Sequence, residues 1–412
     1  QWGFKKALEG DSTRKVVCWP YDSGAMDAIE ISQRKYGLDL ADRDYWTFYG
    51  LTFEGITGGG VEAQGSVAES VAIGSYTNNS QLNRGITYDN LLIQNCVCTG
   101  DDQPNSVLNI KYAQDCVISN CTVRRAQNLH GIYISGFSAT RGTGNTIESN
   151  WVYQVGGTGI RPHLVGNTIM AFNKISEIYS AHGNGASIYI NSDTVLVFGN
   201  LIRAQQGIAF THQSSGNLYF MMNDVQASPL EPYVQRAIED NGTAAAPLTG
   251  TIIKMNNTCG PSGLVNPATA ATAMYTGKTG NVTHHAVNNI SHGALAWEAS
   301  SSHAASAVKG TYSDNILTVL ASNQNTGQTF FVTDTNNVLH TTLSTLFVDY
   351  ANEDYRPKSG GPAIAGSGGS HASLRAIIEA AFPTFNINRD CQKNAISDWT
   401  TGAPIGAYVT AA

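Results

Sequence analysis

Charge is scarce in this chain. Its 412 residues include 24 Lys+Arg and 31 Asp+Glu, only 13% charged, with a net charge of −7. A basic face of the kind that grips nucleic acid is not available from that balance, so no nucleic-acid partner is expected. No run of 18 apolar residues occurs, which leaves no membrane-spanning helix and no membrane partner in the expectation. Helical periodicity is missing between the apolar segments, which argues against a helical cytosolic enzyme. Cysteine is sparse and odd in number: Cys18, Cys96, Cys98, Cys116, Cys121, Cys259 and Cys391. At least one thiol must stay free, and one disulfide is admissible. Cys96-x-Cys98 with Cys116 and Cys121 has the outline of a zinc set, but these residues fall where small apolar side chains stack, so buried thiols are expected.

What the chain does have is a repeat. Ile93-Gln94-Asn95-Cys96-Val97, Ile118-Ser119-Asn120-Cys121-Thr122, Glu148-Ser149-Asn150-Trp151-Val152, Ala171-Phe172-Asn173-Lys174-Ile175, Phe198-Gly199-Asn200-Leu201-Ile202 and Met221-Met222-Asn223-Asp224-Val225 are versions of one unit. The asparagines lie 25, 30, 23, 27 and 23 residues apart, with a looser echo at Asn256, Asn288 and Asp314. A period of 20–50 residues marks a solenoid. Short β-branched strands broken by Asn, Gly (42 in all) and Ser predict an all-β fold, a right-handed parallel β-helix with about three strands per coil. Asparagine suits its turns because it tolerates left-handed backbone and its amide can bond the next rung.

The β-helix is expected over 1–350 and a closing segment over 351–412. Tyr45 to Phe53 reads as one strong alternating strand, Glu231 to Asn241 as a short helix, and 296–308 as a surface loop of low complexity. Ser373 to Ala381 reads as a helix within the closing segment, which would supply the polar cap that an open solenoid end requires. No amphipathic helix precedes the first coil, so further N-terminal sequence is expected.

One strand per coil aligns as Leu108-Asn109-Ile110-Lys111, Ile132-Tyr133-Ile134-Ser135, Ile160-Arg161-Pro162-His163, Ile188-Tyr189-Ile190-Asn191 and Ile208-Ala209-Phe210-Thr211. The first and third positions point inward, so the second and fourth face solvent. The outward columns read Asn109, Tyr133, Arg161, Tyr189, Ala209 and Lys111, Ser135, His163, Asn191, Thr211. His130, His182 and His212 flank them. A decorated sheet face is the plain reading of any one of these residues. The whole constellation reads as an exposed groove for an acidic sugar chain. Breaking a uronide by β-elimination needs the carboxylate neutralised, a base for the C5 proton and an acid for the leaving oxygen. Arg161 suits the carboxylate, His163 or Lys111 the base, and Tyr133 or Tyr189 the acid. His130, His182, His212, Asn191 and Asn109 are the expected substrate contacts.

The closing segment, Asp354-Tyr355-Arg356-Pro357-Lys358-Ser359-Gly360-Gly361-Pro362-Ala363-Ile364 with Ile405-Gly406-Ala407-Tyr408, resembles that of many secreted bacterial β-helix proteins. With the repeat, it makes the chain look like the superfamily of polysaccharide lyases, C5-epimerases and glycoside hydrolases. The resemblance implies a polysaccharide substrate, a secreted or periplasmic location, and calcium as the cofactor where there is one. Related lyases use a Lys and an Arg on adjacent rungs, whereas Lys111 and Arg161 are two rungs apart, about 10 Å. The epimerase motif D-P-H-D is absent. Gly100-Asp101-Asp102, His130-Gly131-Ile132 and Gly159-Ile160-Arg161 resemble in part the polygalacturonase signatures, which implies hydrolysis by carboxylates as the alternative. Asp101 and Asp102 are otherwise turn residues or calcium ligands. A non-catalytic carbohydrate-binding spike is the third reading. The metal and the oligomeric state are left open.

Overall fold

The computed structural model describes residues 38–39, 44–54, 57–58, 71–75, 82–98, 106–127, 130–136, 142–178, 186–203, 208–213, 216–227, 236–240, 248–261, 272–276, 279–292, 295–299, 311–317, 322–323, 334–340, 342–361, 368–396, 399 and 405–408. Their strands stack into three long parallel sheets of 11, 11 and 12 strands, here sheets A, B and C. Each coil of the chain contributes one strand to each sheet in turn, the arrangement of a parallel β-helix.

The side-chain period of two builds the core. Leu108, Ile132, Ile160, Ile188, Phe210 and Ile238 stack rung on rung inside sheet A, where strand directions and registers match throughout. Tyr88, Ile118, Ile147, Met170, Val197 and Phe220 do so inside sheet B. Ile93, Val123, Val152, Ile175, Ile202 and Val225 do so inside sheet C. All are buried, and burying each side chain of this kind contributes about 1.5–3 kcal/mol. Cys116, Cys121, Cys259 and Cys391 are free and buried; burial pushes the thiols of Cys116 and Cys121 up to about 11 and about 12.

The recurring asparagine resolves into two adjacent columns at the corner between sheets B and C. The first adopts left-handed backbone and runs Asn90, Asn120, Ser149, Phe172, Gly199, Met222, Asn256, Asn288, Asp314, Asn336. The second runs Asn150, Asn173, Asn200, Asn223, Asn257, Asn289, Asn315, Asn337. From Asn173 onward each Oδ1 accepts both the backbone N–H and the Nδ2 of the asparagine one coil earlier, as between Asn173 and Asn200 at 2.9 Å each, while Asn150 Oδ1 accepts the Cys121 backbone N–H at 2.9 Å. Each Nδ2 also donates to a carbonyl of the previous coil, such as Asn200 to Met170 at 3.0 Å. The ladder leaves no member with a dangling amide in an interior where an unmade bond costs about 1–3 kcal/mol. Asn120, Asn256, Asn288 and Asp314 thus mark the turn, one residue ahead of the ladder. Asn95 belongs to neither column; it is a left-handed residue within its own strand, Leu92–Cys98.

Three expected elements differ. Tyr45 to Phe53 divides into Thr47–Tyr49 and Thr52–Glu54, because Gly50 turns the chain with φ 66° and so lets Phe48 and Phe53 both face inward. Arg236–Asp240 is a strand of sheet A, where pairing with the coils on both sides overrides its helical appearance. Leu295–Ala299, which runs into the loop expected over 296–308, pairs with Thr272–Thr276.

The closing segment packs along the flank of the solenoid. The hairpin of Phe347–Asp349 with Asp354–Pro357 straddles the expected boundary at 350. The helix Ala372–Ala381 lays Leu374 and Ile378, with Phe382 just beyond its end, among Leu196, Phe198, Tyr219, Met221 and Ile253, which point outward from sheet B. On sheet C, Asp224 is the anchor. It accepts from Arg203 Nη2 at 2.6 Å and from the Tyr408 hydroxyl in a short bond, while the Arg203 guanidinium lies 5.1 Å from the Tyr355 ring centroid. Burial, then Asp224, holds the Tyr408 phenol well above its usual range, so it remains a donor. Tyr408→Phe is expected to cost about 1–3 kcal/mol by leaving part of a buried carboxylate unpaired, and to raise hydrogen exchange in 343–408 before that of the coils. Unchanged exchange there would remove Tyr408 as the clasp.

Candidate functional site

With sheets B and C covered in part by the closing segment, sheet A carries the two outward polar columns. In register, Asn109 pairs Tyr133, Tyr133 pairs Arg161, Lys111 pairs Ser135, Ser135 pairs His163, and His163 bridges Asn191. The backbone of Tyr189 occupies the rung after Arg161; its side chain lies outside the described residues. The next rung is displaced from the expected alignment. Tyr189 pairs Thr211, not Ala209, and Ile190 pairs His212. The sequence has apolar residues at both 208 and 210, so a slip of two residues leaves the apolar pattern intact and only the stacked register reveals it.

The slip matters for His212. It shares the parity of Phe210, points into the solenoid, and is 1% exposed. It is therefore not a substrate contact of the outer face. Its Nδ1 lies 3.8 Å from Asp240 Oδ1, within an interior cluster completed by Lys254 and His284. Burial, opposed by Asp240 and reinforced by Lys254, lowers His212 to about 4, so it is neutral in the core. Alternation carried this signal in the sequence: Phe210 and His212, Ile238 and Asp240, Ile252 and Lys254 are all pairs two apart.

Outer-face residues cluster around Arg161. The outward face is also more sheltered than a solvent-facing sheet: Asn109 is fully buried, Tyr133 is 5% exposed, and Lys111, Arg161, His163 and Asn191 are half-buried. The Tyr133 hydroxyl lies 3.0 Å from His163 Nδ1, and Arg161 Cζ lies 5.7 Å from the Tyr133 ring centroid. His130 stacks on Tyr133 with centroids 6.3 Å apart. Burial first, then the Arg161 charge, pulls His163 down to about 4, so its imidazole is neutral at pH 7.

The tautomer of His130 follows from its bonds. The Thr158 backbone N–H donates to His130 Nδ1 at 2.7 Å, which fixes a lone pair there and puts the proton of a neutral ring on Nε2. That Nε2–H faces Arg161 Nη1 at 3.3 Å. Guanidinium nitrogens only donate. Two donors therefore converge where one anionic oxygen would accept from both. Thr158 was not among the sequence candidates, since a backbone N–H leaves no mark on residue type.

His182, Asp101 and Asp102 lie outside the described residues. Among the described residues no group of three or more His, Cys, Asp or Glu is arranged to hold a metal ion.

A right-handed parallel β-helix with a sheltered cluster of basic, aromatic and imidazole groups on one sheet is thus the class of protein that the fold and this site define. Residues 17–175 match the family described as right handed beta helix region. Among solved structures, the chain is similar to a tailspike protein of Acinetobacter baumannii bacteriophage Fri1, a capsular polysaccharide depolymerase, with 11% identity and a TM-score of 0.39. The similarity covers 71% of this chain and 48% of that one, so this chain spans about half of that protein's length. No curated protein matches the sequence.

Proposed function

We propose that this protein degrades an acidic polysaccharide by β-elimination at the sheet A cluster. The observation that carries the proposal is the pairing of a two-donor anion clamp, Arg161 with His130 Nε2–H, with a neutral base two residues from Arg161 on the same face. The clamp would hold the uronate carboxylate and stabilise the charge that spreads onto it as the C5 proton leaves. His163 Nε2 takes that proton while its Nδ1–H is shared with Tyr133. The C5–H electron pair forms the C4–C5 double bond as the C4–O bond breaks. Tyr133 delivers its hydroxyl proton to the leaving oxygen and recovers one from His163 Nδ1, so one proton moves from C5 to O4 and the ring is neutral again. The 3.0 Å contact favours His163 and Tyr133 as the base–acid pair. Lys111, two rungs from His163 in the same column, is left to bind a neighbouring sugar. No step needs a bound metal.

The test is absorbance near 235 nm during incubation with alginate, polygalacturonate, glucuronan and hyaluronan. A rise on one polymer supports elimination and names the sugar. New reducing ends without absorbance would reject elimination in favour of hydrolysis.

The pH profile gives a second check. A base with an ordinary imidazole would lose activity below about 6.5. With His163 lowered to about 4, kcat/KM is expected to hold from pH 7 downward and to fall only as pH passes through about 4. An acid limb at 6.5 would reject His163 as the base. The fold itself binds fewer protons than the unfolded chain in this window, because His163 and His212 are both depressed. Their contribution to stability is complete above about 6.5 and is lost as pH falls toward 4. Initial rates should therefore be taken only where the circular dichroism is unchanged.

A further inference from the structure

A second cluster of aromatic and cationic side chains stands on the outer face of sheet C, on another side of the coil from Arg161. Trp151 and Tyr153 point outward from one strand, with ring centroids 4.4 Å apart at 24°. Each has a cation from a neighbouring rung. Lys174, paired with Trp151 in register, places Nζ 5.0 Å from the indole centroid. Arg124, paired with Tyr153, donates from Nη1 to the Tyr153 hydroxyl at 3.0 Å and from Nε to Gln94 Oε1 at 2.7 Å.

From Arg203 onward this face is occupied by the closing segment through Tyr355 and Tyr408. Among the described residues the closing segment comes no nearer to the earlier rungs of this face than Lys393, which donates to Ser149 Oγ at the corner, and Trp151 is 41% exposed. The fold needs neither the indole nor the ammonium there, because the inward residue of that rung is Val152. The acids of these first rungs are engaged sideways: Glu177 accepts from Gln154 and Glu54 from Asn95. The charges that meet the aromatic pair are both positive, on a chain whose net charge is −7.

We infer that Trp151, Tyr153, Lys174 and Arg124 form a second glycan-binding site, which takes a segment of an anionic polysaccharide away from the reactive cluster. Sugar C–H faces pack on the aromatic pair, and the uronate carboxylates draw Lys174 off the indole and meet the fixed Arg124 guanidinium. An exposed cation–π contact is weaker than a charge-assisted bond to a carboxylate, so the exchange favours the ligand. The ligand class rests on the proposed function; the site's existence does not need catalysis. Only a long polymer would engage both faces.

The test is affinity electrophoresis of the Arg161→Ala protein through gels containing alginate, polygalacturonate or hyaluronan, so that cleavage does not consume the ligand. One of these polymers is expected to retard it, and adding Trp151→Ala and Lys174→Ala should raise the apparent Kd about tenfold at unchanged melting temperature. In the otherwise unaltered chain, the same two changes should raise KM for the polymer and leave kcat/KM for a short oligosaccharide untouched. No retardation by any polymer, or retardation indifferent to Trp151 and Lys174, overturns the inference. So does self-association in sedimentation that the two changes abolish, since the face would then be an interface between copies. Retardation that depends on Trp151, with no elimination product from the unaltered protein, rejects the proposed reaction and keeps the second site.

Discussion

Arg161→Ala is expected to lower kcat/KM on the susceptible polymer on the order of 10²–10³-fold, the usual loss when one preorganised donor at the developing charge is removed. The melting temperature should scarcely move. Arg161 is half-buried on the outer face, while the core beneath it is made by Ile132, Ile160 and Ile188. Arg161→Lys should recover little. An ammonium keeps the charge but lacks the planar fork, and it cannot share one carboxylate with His130 Nε2–H in the same geometry. His130→Ala should weaken binding less, because it removes one donor and leaves the guanidinium. Arg161→Ala activity within twofold of the unaltered protein would sink the assignment of this face as the reactive one.

Lys254→Met is expected to destabilise the coils around residues 236–312 by about 3–5 kcal/mol. Lys254 lies in the apolar column of sheet B, directly after Phe220 in register, and is fully buried. Its ammonium donates to Asp240 Oδ2 in a short bond, and His284 Nε2 is 3.8 Å from the same oxygen. Methionine fills the space but leaves the Asp240 carboxylate without its counter-charge in the core. In a solenoid each coil touches only its neighbours, so the damage should be local. Hydrogen exchange should rise first in Arg236–Asp240, Leu248–Met255 and Thr279–Val287, with the coils before residue 178 still protected. The double change Lys254→Met with Asp240→Leu should restore most of the loss, since an apolar pair of similar volume replaces the ion pair without stranding a charge. A single change costing under about 1 kcal/mol would show that Asp240 is neutral in the fold and that no buried ion pair exists.

These two sites differ in how far they could be read beforehand. Arg161 and His163 were legible because strict alternation puts them on one face whatever the turns do, and because apolar residues occupy the first and third positions of each rung. The contact between His163 and Tyr133 was not legible. Their rungs align as neighbours in the sequence, but the two residues stand in different outward columns, and only the folded side chains bring the hydroxyl across to the ring. Lys254 and Asp240 carried the parity signal, but 14 residues and a corner separate them, and nothing in the intervening chain fixes where that corner falls. Trp151 was visible only as part of a repeat unit and Tyr153 not at all; their cations come from other coils.

By itself the sequence determined the architecture: a period of 23 to 30 residues, β-branched stripes and recurrent turn asparagines admit one stacked, three-sided solution. It also determined which side chains face outward within each strand, because the pleat has a period of two. The tertiary structure alone decided which residues sit beside one another across coils. A shift of two residues preserves the inward face, so Thr211 rather than Ala209 meets Tyr189, and His212 stacks on Ile190. It alone separated the turn column from the asparagine ladder one residue later, because left-handed backbone and amide bonding both suit the same residue type. And it alone fixed the proton of His130, since that rests on a backbone N–H brought within 2.7 Å by the next coil.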